Sequence, residues 1–146
     1  MRALSLLLLL SVAACGEAEQ APVAARPAAK PEPIGYPDIE ANNLFGASCA
    51  YASGTSMAPL VIAFTDEAVM KIDGRIQRFV VDGESEGAEL GTRTRYLGEG
   101  RTLLLTIERG GEQAGSASAN YTGSVRLVDD AGAELFATEG AVQCGS

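Results

Sequence analysis

Apolar side chains recur at every second position along this chain, and Asp-Gly and Gly-rich turns interrupt them. That leaves few options besides an antiparallel β-structure. In residues 101–109, Leu103, Leu105 and Ile107 fall on one side, with Thr102, Thr106 and Glu108 on the other. Residues 121–128 set Val125 and Leu127 against Ser124 and Arg126. Successive side chains of a strand point to opposite faces, so this alternation marks strands with one face buried. Residues 68–72 place Ala68, Met70 and Ile72 together; Asp73-Gly74 follows, and residues 75–81 resume with Ile76, Phe79 and Val80. Asp-Gly between two such runs predicts a hairpin, because a type I′ turn needs positive φ at both central residues. Val61-Ile62-Ala63-Phe64 is a shorter apolar run. Asp129-Asp130-Ala131-Gly132 turns the chain into a further strand at 134–138, and 141–144 supplies the last. No segment beyond the N-terminal apolar run has a sustained helical period with caps. The expectation is an all-β domain over residues 34–146, a small antiparallel β-barrel or sandwich. Tryptophan is absent and aromatics are 5% of the chain, so aliphatic side chains must build the core.

The first residues carry a different signal. Met1-Arg2-Ala3 is a short basic opening, and residues 4–12 form an uncharged apolar run. That run is roughly ten residues, whereas a transmembrane helix needs about twenty. A charged start, an apolar stretch and small residues before a cleavage point describe a secretory signal. Val12-Ala13-Ala14-Cys15 resembles the lipobox of bacterial lipoproteins. The resemblance implies that residues 1–14 are removed, that Cys15 becomes the first residue, and that it carries acyl chains. Two or more acyl chains anchor a protein stably, whereas one does so only marginally. Gly16, where inner-membrane lipoproteins carry Asp, points to the outer membrane, with the domain facing the periplasm.

Residues 15–33 hold four prolines, several alanines and mixed charge without hydrophobic period. This composition predicts a disordered, extended linker. At about 3.1 Å per residue it spans up to roughly 50 Å.

With Cys15 assigned to lipid, Cys49 and Cys144 are an even pair in an oxidising compartment, and a disulfide between them is the default. It would tie the first strand to the last. For a loop of this length the chain-entropy model gives about 4–5 kcal/mol.

Charge and residue types narrow the function. The net charge of −8 makes the chain a poor nucleic-acid binder and a suitable partner for a basic protein; solubility alone also accounts for it. There is no histidine, so Ser-His-Asp and Cys-His catalysis are excluded. No phosphate-loop or nucleophile-elbow motif occurs. A carboxylate pair of glycosidase type is the remaining catalytic option; the expectation is a non-catalytic domain without metal or cofactor. The acidic stretch 82–89 lacks the spacing of a calcium loop and reads as a solvated loop. Residues 110–120 read as a mobile hairpin connection.

The order of features from Cys49 to Ile107 resembles the membrane-bound inhibitors of c-type lysozyme. Those are lipid-anchored small β-barrels with one cysteine in the first strand and another at the end. Their middle hairpin is similar to residues 61–74 here. Their cleft-entering Ser-Gly-x-Arg-Tyr loop is matched by Thr92-Arg93-Thr94-Arg95-Tyr96. Arg95 and Tyr96 match outright, Thr92 offers a hydroxyl in place of Ser, Arg93 replaces the Gly, and the family's strand Trp is missing. The resemblance implies that Thr92, Arg93, Arg95 and Tyr96 form a partner-binding loop, Tyr96 being its apolar anchor, and that the partner is a basic protein such as c-type lysozyme. Two function classes follow: an envelope lipoprotein whose β-domain makes protein or glycan contacts, and a lysozyme inhibitor.

Overall fold

The computed structural model describes residues 26–115 and 117–146. Eight antiparallel strands follow one another around a closed barrel. They are β2 (Ser48–Ala52), β3 (Pro59–Ala63), β4 (Glu67–Ile72), β5 (Arg75–Val81), β6 (Arg95–Gly98), β7 (Arg101–Gln113), β8 (Ser118–Asp129) and β9 (Glu134–Gly145). Each pairs with its sequence neighbour, and β9 returns to pair with β2. A two-residue strand, β1 (Pro31–Glu32), adds to the end of β4, and one short helix, α1 (Tyr36–Asn42), packs outside.

Local chemistry sets the hairpins. Asp73 and Gly74 have φ of 52° and 73°, the left-handed pair that the I′ turn requires. The alternation expected in β7 and β8 is realised: Leu103, Leu105, Val125 and Leu127 are buried, and Thr106 and Arg126 are exposed. β7 and β8 run further than their patterning announced. Most of residues 110–120 are ladder, β7 running to Gln113 and β8 starting at Ser118, so the expected connection is corrected to a short one. Gly110 and Gly111, at φ 125° and 101°, sit at register shifts of β7. Such bulges bend a strand and help a sheet curl into a barrel.

Closure is set where β2 meets β9. Cys49 and Cys144 are directly opposed in that ladder and joined by a disulfide, their Cα atoms 4.0 Å apart. The barrel interior is solid. Tyr51, Met70, Ile72, Phe79, Tyr96, Leu103, Leu105 and Leu127 are all 2% exposed or less. Full burial of an aliphatic or aromatic side chain is worth roughly 1.5–3 kcal/mol each.

The unalternating runs of β3 and β4 have a separate cause. Val61 and Ala63 point inward with Ala68 and Met70, whereas Ile62 and Val69 form a second buried cluster with Ile34 and Leu44. Ile39 of α1 packs on that cluster. These two strands are covered on both faces, so both faces are apolar. The helix corrects the expectation of no helical segment. Its signals are brief: Pro37 in the first turn, Asp38 accepting the Gly35 N–H at 2.9 Å, and Asn43 in left-handed conformation at the C-cap. Lys71 Nζ reaches Asp38 at 3.0 Å and ties α1 to β4.

The Pro-rich stretch enters the fold before residue 34. Pro31 and Glu32 pair with Ile72 and Lys71, Ala29 N donates to Leu135 O at 3.0 Å, and Ala29 packs against the core. Residues 29–33 are therefore barrel, not linker. Residues 1–25, with the signal segment, Cys15 and most of the expected linker, lie outside the described residues.

Candidate interaction surface

The connection from β5 to β6, residues 82–94, lies at the end of the barrel opposite the Asp73-Gly74 hairpin. It is held to itself. Asp82 Oδ1 accepts the Glu84 N–H at 3.0 Å, and Arg95 Nε donates to Asp82 Oδ2 at 2.6 Å. Together, the Glu84 amide first and Arg95 second, these hold the Asp82 carboxyl below its ordinary range. Arg93 Nη1 donates to Ser85 O at 2.8 Å, Thr94 N to Glu86 O at 3.0 Å, and Thr92 Oγ1 to Glu89 O at 2.7 Å. A short 3-10 turn, Glu89–Gly91, carries Leu90 at φ 53°, a left-handed conformation unusual for a branched side chain.

Tyr96 locks this loop from below. Its hydroxyl donates to Phe64 O at 2.7 Å and accepts the Arg93 N–H at 2.8 Å. The expectation that Tyr96 meets a partner is therefore corrected. Tyr96 and Thr92 are both 0% exposed; Tyr96, the second residue of β6, is in register with Leu103 and so points into the barrel. Arg93 is half-buried on the Ser85 carbonyl, and only Arg95, on the alternate face of β6, projects outward. The four residues share one segment, but two of them are core.

What the loop shows to solvent is Glu84, Glu86, Glu89 and Leu90, the last 44% exposed. Leu90 is missing from the sequence reading. Its signal, a lone leucine before glycine at the end of an acidic stretch, is too common to single out. The surface offers carboxylates around one apolar side chain on a preorganised backbone, an arrangement suited to a cationic protein surface. Among the described residues, no three His, Cys, Asp or Glu side chains are placed to hold a metal ion. No helix among them is long and apolar enough to cross a membrane.

Compared with known proteins, the chain matches no family model, no curated protein and no solved structure.

Proposed function

We propose that this chain is a lipoprotein of the bacterial envelope, held by acyl chains on Cys15 and presenting a non-catalytic barrel for protein or glycan contact. The observation that carries the reading is the pairing of a filled barrel interior with a self-bonded acidic loop at one end. A barrel packed with side chains has no calyx for a small molecule, so contact is made on the outside. The Cys49–Cys144 disulfide suits the oxidising side of a membrane. Replacing Cys15 by Ser should move the protein from the membrane to the soluble periplasmic fraction. A variant that stays uncleaved and membrane-bound overturns the anchor.

A narrower reading, inhibition of c-type lysozyme, is supported by the exposed carboxylates of residues 84–89, since that enzyme is strongly basic. Inhibition should weaken as salt rises, because exposed charges are screened over about 10 Å at 0.1 M. No inhibition by micromolar protein at low salt removes this narrower reading and leaves the first.

A further inference from the structure

At the opposite end of the barrel the charge reverses. A cleft of about 350 Å³ is lined by Arg26, Gln77, Arg78, Phe79, Gly98, Glu99 and Arg101. In an acidic protein, three arginines from three elements converge here: the N-terminal strap, β5 and β7. Arg101 occupies the inward-facing position of β7 that continues Leu103 and Leu105, so it is set into the mouth of the barrel. Among the described residues its side-chain partner is neutral, Gln77 Oε1 at 3.2 Å. Arg26 is carried over the cleft by the strap, which Ala29 and β1 pin down, and donates to Gly100 O at 2.8 Å. A Cβ on Gly100 would stand 2.5 Å from the Arg26 guanidinium, so glycine leaves the room that Arg26 fills.

Among the described residues, no carboxylate lies within ion-pair distance of Arg26 or Arg101. Arg78 is committed to Glu67 and to Asn42 O. Asp129, opposite Arg101 in the β7–β8 register, uses Oδ1 to accept the Ala131 and Ala133 amides. Glu99 is exposed at the rim. Among the described residues, Arg95, Arg126, Arg78 and Lys71 each have a carboxylate within ion-pair distance, and Arg26 and Arg101 do not. A guanidinium has five N–H donors in a planar fork. Here two forks, each with most of its donors unspent among the described residues, face one concavity, the geometry that suits a phosphate oxyanion.

We propose that this cleft binds a phosphate group through Arg26 and Arg101, with Gln77 orienting Arg101. The test uses the full chain in a non-ionic detergent, titrated with inorganic phosphate at ionic strength held constant with chloride. The arginine Nε–Hε resonances are followed. Saturable shifts confined to the Arg26 and Arg101 resonances are expected, with Arg126 unmoved. Arg26→Gln and Arg101→Gln should each weaken binding roughly tenfold or more, and Arg126→Gln should leave it unchanged. Arg26→Gln removes a surface side chain at the strap, so it keeps the test informative if Arg101→Gln perturbs the fold. A second titration with monomeric dihexanoyl phosphatidylglycerol identifies the source. Tighter binding than inorganic phosphate assigns a lipid headgroup, and weaker binding assigns free phosphate. Unsaturating drift shared by all arginines, wild-type affinity retained in both glutamine variants, or acetate binding as tightly as phosphate overturns the proposal.

Discussion

Two buried tyrosines should answer the same mutation with opposite signs. Tyr51 and Tyr96 are 1% and 0% exposed, and burial pushes the pKa of both hydroxyls up, holding them neutral. Their hydrogen bonding differs. Tyr96 Oη has a donor and an acceptor, the Arg93 N–H and Phe64 O, whereas Tyr51 Oη is buried with no hydrogen-bond partner among the described residues. Changing Tyr to Phe deletes one oxygen and keeps the ring, so packing is nearly constant. In Tyr96→Phe a backbone N–H and a carbonyl lose their partner below the loop, and the cost should be about 1–3 kcal/mol. In Tyr51→Phe an unpaired hydroxyl is removed from the interior. That change should be neutral or stabilise by up to about 1 kcal/mol. Urea or guanidinium unfolding of the oxidised protein measures both. Hydrogen exchange adds a local readout, since the Arg93 amide should lose protection in Tyr96→Phe alone. The reasoning fails if Tyr51→Phe destabilises as much as Tyr96→Phe, or if Tyr96→Phe leaves both stability and Arg93 protection untouched.

Other outcomes follow from the same contacts. Titration of the denatured, unreduced protein should find Cys49 and Cys144 unreactive. A Cys49→Ala/Cys144→Ala variant should lose about 4–5 kcal/mol, from a separation of 95 residues; a loss under about 1 kcal/mol would show that the β2–β9 ladder closes the barrel unaided. Acid should weaken the fold through Asp38 and Asp82. Both are held below the ordinary carboxylate value of 3.8, Asp38 by the Gly35 amide and then Lys71, Asp82 by the Glu84 amide and then Arg95. Because the folded values lie below the unfolded ones, their contribution is complete above about pH 4 and is lost as pH falls through the folded values. The denaturant midpoint should stay level from neutral to about pH 4 and then drop, less steeply in Asp38→Asn/Asp82→Asn. An unaltered slope in that variant would assign the acid response to other groups.

Sequence alone determined the strand content, because a period of two is written directly in residues 101–109 and 121–128 and needs no distant contact to read. It determined the Asp73-Gly74 turn for the same reason: the two residues that tolerate positive φ are adjacent and local. It also determined the cysteine pair, once Cys15 was set apart. Whether the strands make a sandwich or a barrel was decided only by tertiary structure, since β2 and β9 lie at opposite ends of the domain and their pairing leaves no local pattern. The apolar runs of β3 and β4 became intelligible only with α1 packed on their outer face, and α1 itself, at seven residues, is too short to show a period. Tyr96 was the sharpest case. A strand shifted by one residue exchanges its two faces, so placing Arg95 outside and Tyr96 inside required the β6–β7 register. The arginine cleft was invisible for a related reason: Arg26, Gln77 and Arg101 are far apart in sequence and meet only because the barrel closes and the strap crosses its mouth.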